Sequence, residues 1–131
     1  MDFNINNVKL FFCVKDKHYM ANGDAEYPIH ACLNKKVIGT LWVTMGAFTE
    51  KGVIDKESIY VHSFGIDEKY RHKGIGRKML RFVKDYYKTK NIYLGVGKSN
   101  TVARDFYEKE GFEIVEDCDY YYSMVIRKNV S

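Results

Sequence analysis

At 131 residues, 46% hydrophobic and 29% charged, the chain has the size and composition of one soluble globular domain (residues 1–131) and is too short for two separate cores. Its longest uncharged stretch, Val37 to Thr49, is too short and too interrupted by glycine and threonine to span a bilayer. The net charge of +4 is uneven: residues 1–66 hold seven Lys/Arg against seven Asp/Glu, residues 67–90 nine against three, and residues 91–131 five against seven. The basic excess in the middle segment fits a local anion site or, more plainly, a solvated helix face.

The start, Met1-Asp2-Phe3-Asn4, lacks the basic residues and apolar run of a secretory signal, so a cytoplasmic protein without a membrane partner is expected. Val8 to Val14 is an apolar run suited to a buried strand. Lys15 to Tyr27, with Asn22-Gly23-Asp24 inside it, reads as a loop. Ile29 to Leu33 and Val37 to Met45 read as strands joined across Asn34-Lys35-Lys36. Ala47 to Ser58 reads as a loop, and Ile59 to Ile66 as a strand.

The period then changes. From Gly74 to Lys90 the apolar residues Ile75, Met79, Leu80, Val83, Tyr86 and Tyr87 share one helical face. Ile92 to Val96 is a short strand. Asn100 to Glu110 is a second helix, with Asn100 as N-cap, Val102, Ala103, Phe106 and Tyr107 on its buried side and Gly111 as its stop. Glu113 to Val115 and Tyr120 to Ile126 close the chain as strands. Strands, helix, strand, helix, strands make an α/β fold with a mixed sheet.

Cys13, Cys32 and Cys118 form no C-x-x-C pair, and the first two read as small core residues. His18, His30, His62 and His72 include no i, i+4 pair, so no metal site is expected. The chemistry concentrates in Phe64-Gly65-Ile66, where a strand ends, and in Arg71-His72-Lys73-Gly74-Ile75-Gly76-Arg77, where a basic loop opens a helix. Backbone N–H groups at a helix start carry partial positive charge and can hold a phosphate, and glycine lets the ligand approach closely. A dinucleotide fingerprint would need glycine where Met79 stands, and a Walker loop ending at Gly97-Lys98-Ser99 would need glycine where Ile92 stands.

Arg71-x-x-Gly74-x-Gly76 resembles the R/Q-x-x-G-x-G/A motif of the GNAT family of N-acetyltransferases. Asn100-x-x-Ala103-x-x-Phe106-Tyr107-x-x-x-Gly111-Phe112 is similar to that family's second signature, and the two blocks stand in the family's order. The resemblance implies a mixed, mostly antiparallel sheet with a splayed parallel strand pair and two main helices. It implies that acetyl-CoA is the cosubstrate and an amine the acceptor, with no metal. Backbone groups of Phe64, Gly65 and Ile66 would pair with the pantetheine arm, and the amides of His72 through Arg77, beside Arg71, would take the pyrophosphate. Asn100 would bond the pantetheine, and Tyr107 would be the general acid at the thioester sulfur. The Ile66 amide is a candidate to polarise the thioester carbonyl.

The family does not fix the general base by motif. His62, two residues before Phe64, is the candidate, with Glu57 in the preceding loop behind it. Only Lys15 to Pro28 separates the first two strands, so the family's helical lid over the acceptor is expected to be reduced or absent. Asp24, Glu26, Glu116, Asp117 and Asp119 are acids that would attract a cationic amine or simply face solvent. Two other readings stand beside the enzyme: a non-catalytic acyl-CoA-binding domain of this fold, and a basic nucleic-acid-binding module, for which no reading motif is present. The residues decide neither the acceptor nor a monomer against a homodimer.

Overall fold

The computed structural model describes residues 3–5, 8–19 and 25–128. They fall into two compact units, 1–44 with 62–86 and 45–61 with 87–131. The strands are β1 (Phe3–Ile5), β2 (Val8–Val14), β3 (His18–Tyr19), β4 (Ala25–Leu33), β5 (Lys36–Phe48), β6 (Ile54–Ile66), β7 (Asn91–Gly97), β8 (Glu113–Asp117) and β9 (Tyr121–Ile126); the helices are α1 (Ile75–Tyr86) and α2 (Thr101–Lys109). Strands β5 and β6 each run from one unit into the other.

In the first unit the strand order is β1-β2-β4-β5-β6, with β3 also on β4. The β1/β2, β2/β4, β3/β4 and β4/β5 pairs are all antiparallel. Asn34 and Lys35 connect β4 to β5 with φ of 52° and 67°, the two left-handed residues that match hairpin twist. Alternation along β4 and β5 buries Ile29, Ala31, Leu33, Leu41 and Val43 on one face. Helix α1 buries Ile75, Met79, Leu80 and Val83 along one stripe, each contributing roughly 1.5–3 kcal/mol by leaving water. Its Phe82 ring lies 5.5 Å from that of Phe12 on β2. Tyr86, expected on the buried face, is exposed and stacks on Phe82 instead.

In the second unit the order is β6-β7-β9-β8. β6 and β7 pair in parallel from Ser58↔Asn91 to Val61↔Leu94, while β7/β9 and β8/β9 are antiparallel. Ala47, Tyr93 and Val125 form a buried cluster flanked by Tyr60 and Val115. The Tyr93 hydroxyl donates to Glu50 Oε2 at 2.7 Å, Arg127 donates to Glu50 Oε1 at 2.7 Å, and Arg127 also donates to the Tyr93 oxygen at 3.1 Å. This network ties the β5–β6 turn to the residue after β9 and borders a cleft of about 290 Å³ lined also by Lys51, Asp55 and Asn91. Of the α2 stripe, Ala103, Phe106 and Tyr107 are partly buried, but Val102 is 80% exposed. At 100° per residue Val102 lies outside the stripe that Ala103, Phe106, Tyr107 and the buried Glu110 define.

The mixed, mostly antiparallel sheet with one parallel pair and two helices is the expected fold. Two segments that read as loops are partly strand. Of Lys15 to Tyr27, His18–Tyr19 is a strand, and Ala25 through Tyr27 belong to β4; Asn22-Gly23-Asp24, including the candidate Asp24, lies outside the described residues. Of Ala47 to Ser58, only residues 49–53 form a turn, closed where the Thr49 N–H donates to the Val53 carbonyl at 2.9 Å. The polar run Asp55-Lys56-Glu57-Ser58 hides a strand whose outward residues are solvated. No helix among the described residues is long and apolar enough to cross a membrane, and no group of three or more His, Cys, Asp or Glu among them could hold a metal.

Candidate active site

In the first unit, β6 ends at Ile66 and the chain turns at once. The Asp67 N–H donates to the Ile38 carbonyl at 2.7 Å, and the Asp67 carboxylate accepts from the Lys69 N–H, capping a single 3₁₀ turn at Glu68–Tyr70. Arg71 folds back so that its Nε donates to the Ile66 carbonyl at 2.9 Å. His72 and Gly74 adopt φ of 64° and 79°, and α1 begins where the Lys78 N–H bonds the Gly74 carbonyl at 3.1 Å. The amides of Ile75, Gly76 and Arg77 therefore occupy the first turn, where a helix offers them no acceptor.

The glycines divide the labour. Gly74 needs its left-handed backbone, and a Cβ there would meet nothing within 4 Å; the space above it is open. A Cβ on Gly76 would sit 3.7 Å from the Phe64 ring and 3.9 Å from Ile66, ordinary contact, so packing does not demand glycine there. Gly65 is likewise open within 4 Å. Arg71, His72, Lys73, Gly74 and Arg77 are exposed, whereas Ile75 is buried and anchors the helix start. Phe64, Ile66 and the 71–77 loop thus converge on one open, amide-lined and basic corner of this unit.

His62 also lies in this unit, on β6. Its Nδ1 stands 3.0 Å from the Ser63 hydroxyl, and its Nε2 stands 3.5 Å from Glu26 Oε2 on β4. Ser63 has φ of 53°, a left-handed kink inside the strand. Glu57, expected in a loop, is instead on β6, exposed and 3.6 Å from Lys90. Glu26, also expected in a loop, is on β4 and largely buried.

Asn100 and Tyr107 belong to the second unit. Asn100 Oδ1 accepts from the Ala103 N–H at 3.1 Å, so its oxygen caps α2, while the exposed side chain keeps its amide N–H groups as donors. Tyr107 packs against the rings of Phe106 and Phe112, 5.4 and 5.8 Å away. Burial pushes its phenol above the ordinary value, which keeps it a proton donor at neutral pH. The helix stops as expected, with Gly111 at φ of 99° and the Phe112 N–H on the Tyr107 carbonyl at 3.0 Å.

Two features escaped the motifs. Tyr60 on β6 is half-buried, its phenol likewise pushed up by burial, and a Cβ on Gly95 would come within 3.0 Å of its oxygen. Asp117 is not a spare acid: it pairs with Lys98, which with Arg104 lies over the Tyr122 ring.

The model of the acetyltransferase (GNAT) family matches residues 5–112. The chain belongs to that family. Over 75 residues, 54% of this GNAT chain, it is 40% identical to N-alpha-acetyltransferase 50 of Danio rerio, covering 45% of that protein. Over 80 residues, 57% of the chain, it is 34% identical to the spermine/spermidine N(1)-acetyltransferase of Bacillus subtilis (strain 168), covering 53% of it. The chain thus spans about half the length of these curated relatives. The crystal structure of Arabidopsis thaliana Naa50 in complex with the bisubstrate analogue CoA-Ac-MVNAL superposes with a TM-score of 0.59 at 26% identity, over 76% of this chain and 71% of that one.

Proposed function

We infer that this GNAT chain is an acetyl-CoA-dependent N-acetyltransferase that moves the acetyl group directly onto a primary amine. The observation that carries the reading is the corner at the start of α1, where first-turn amides, an open Gly74 and exposed Arg71, Lys73 and Arg77 suit a pyrophosphate. The relative solved with a coenzyme A bisubstrate analogue supports the same cosubstrate. Both units are read as one acetyltransferase domain, because β5 and β6 run through both and the family match spans both.

In this reading the amides of His72 to Arg77 hold the pyrophosphate, and Phe64, Gly65 and Ile66 pair with the pantetheine arm as an added strand. Asn100 bonds that arm through its amide nitrogen. The amine attacks the thioester carbonyl, whose oxygen the Ile66 amide polarises. Tyr107, protonated at neutral pH, donates its proton to the departing sulfur. His62 removes the proton from the attacking ammonium. The acceptor is an amine, a reading supported by the similarity to an N-alpha-acetyltransferase and to a spermine/spermidine N(1)-acetyltransferase.

Calorimetric titration with acetyl-CoA, run beside a thiol-release assay on a pooled amine panel, tests this. Micromolar binding with release supports the transferase. Binding without release points to an acceptor outside the panel or to an acyl-CoA-binding domain, and no binding by folded protein overturns the cosubstrate.

A further inference from the structure

Glu26 and His62 come from strands far apart in sequence, yet they share an unusual arrangement. Glu26 has 16% of its side chain exposed, and its Oε2 is buried without accepting a hydrogen bond. A buried carboxylate oxygen left unsatisfied is costly, so its location calls for a reason. What faces it is the His62 Nε2, at 3.5 Å, on a ring that is 33% exposed. On the other side of that ring, Nδ1 lies 3.0 Å from the Ser63 hydroxyl, and Ser63 is exposed. Ser63 has a left-handed φ of 53°, a break in the strand geometry that would otherwise send successive side chains to opposite faces.

Chemistry assigns the protons. An ionised carboxylate only accepts, so the nitrogen facing Glu26 carries hydrogen. In the neutral ring the other nitrogen, Nδ1, is then the bare one, and the Ser63 hydroxyl donates to it. The separation of 3.5 Å is long for a hydrogen bond, as catalytic contacts often are before substrate binds.

We propose that Glu26 is a positioning residue: it fixes His62 with Nε2 protonated and Nδ1 basic, and Ser63 relays the proton of the acceptor ammonium to that nitrogen. The proposal rests on the transferase reading, with His62 as base. In the step, the substrate N–H bond breaks and its proton passes to Ser63 Oγ, while the Ser63 proton passes to Nδ1. The freed amine lone pair then attacks the thioester carbonyl. The imidazolium so formed is stabilised by the Glu26 carboxylate at its Nε2–H. Neither partner is held in place by the other alone: Glu26 sits opposite His18 and Thr44 in the sheet, and His18 packs edge-on against Trp42 at 5.4 Å.

The test uses the full chain, labelled with ¹⁵N-histidine, with His62 assigned by its loss in His62→Gln. Long-range ¹H–¹⁵N correlation should show the Nε2–H form of His62 in the native protein and a mixture of forms in Glu26→Gln. With an amine that turns over, Glu26→Gln should lower kcat about 10- to 100-fold with little change in KM for either substrate. His62→Gln should lower kcat about 10²-fold or more, and Glu26→Gln added to it should cost almost nothing further. Ser63→Gly, which keeps the left-handed backbone without strain, should lower kcat by several-fold and leave acetyl-CoA binding unchanged. An unaltered tautomer in Glu26→Gln overturns the proposal whatever the kinetics. So does a Glu26→Gln effect confined to amine KM, which would make the carboxylate a binder of the cationic acceptor, or one that persists in full in the His62→Gln background. If the native protein turns over no amine, the transferase reading itself has failed, a result distinct from native turnover with an indifferent Glu26→Gln.

Discussion

The two helix starts of this protein are treated in opposite ways. At α2 the chain closes its own end: Asn100 spends a side-chain oxygen on the Ala103 amide, and no Lys or Arg precedes it more closely than Lys98, which is paired with Asp117. At α1 the preceding residue is Gly74, which has no side chain to offer, and the approach runs through exposed Arg71, His72 and Lys73. The sequence satisfies one helix dipole internally and leaves the other open, with positive charge around it. An exposed helix end left uncapped is satisfied by water and stays available to an anion. That difference is the reason the proposed reading puts the anion at α1 and gives α2 the role of carrying Tyr107.

The contrast can be broken from either side. The largest effect should come from Tyr107→Phe, which keeps the packing against Phe106 and Phe112 but removes the proton donor. Its kcat should fall about 10²-fold or more while calorimetry shows unchanged acetyl-CoA affinity. An undiminished kcat would leave Tyr107 as packing alone.

Gly74→Ala should weaken acetyl-CoA binding and also destabilise the fold by about 1–2 kcal/mol, because a Cβ opposes the φ of 79°. Gly76→Ala should separate the two effects. Its Cβ meets only ordinary contacts, so thermal stability should hold while the affinity for acetyl-CoA drops. Equal losses of stability in both variants would make the glycines structural rather than ligand-facing.

At the closed end, Asn100→Ala should cost about 1 kcal/mol in denaturant unfolding through loss of the cap. Asn100→Asp keeps an accepting oxygen and should restore that stability without restoring a donor for the pantetheine.

The smallest effect concerns acid. Hydrogen bonds from Arg127 and Tyr93 hold the Glu50 carboxyl down to about 2, against an ordinary 4.5. Because the folded value is the lower one, the stability it contributes is present above about 4.5 and is lost as pH falls toward about 2. Glu50→Gln should therefore flatten the melting temperature across that window, and a parallel decline in both proteins would remove Glu50 from the account.

The α1 side was legible because its stripe repeats every three to four residues and its glycines carry a spacing that nothing else demands. Helix α2 was legible through the same period, except at Val102, where one residue of drift moved an apolar side chain into solvent. The outer parts of the sheet were harder to read. Ala25, Glu26 and Tyr27 follow an Asn-Gly-Asp turn signal and look like loop, yet antiparallel pairing with β5 draws them into β4. Asp55 to Ser58 look solvated, yet Ser58 pairs with Asn91 of β7, a partner more than thirty residues away. The left-handed Ser63 has no local signal at all, since serine in an apolar strand gives no reason for a kink. The nearness of Glu26 to His62 requires Glu26 to lie on β4 rather than in a loop, which the local sequence does not signal.

The most direct test of the central claim is to give the purified protein acetyl-CoA labelled in its acetyl group together with candidate amines, and to follow the label by mass. The account predicts labelled amide formed in step with free coenzyme A, and a rate that collapses in Tyr107→Phe. Tight binding of acetyl-CoA with no label reaching any amine, in native protein and Tyr107→Phe alike, would contradict it.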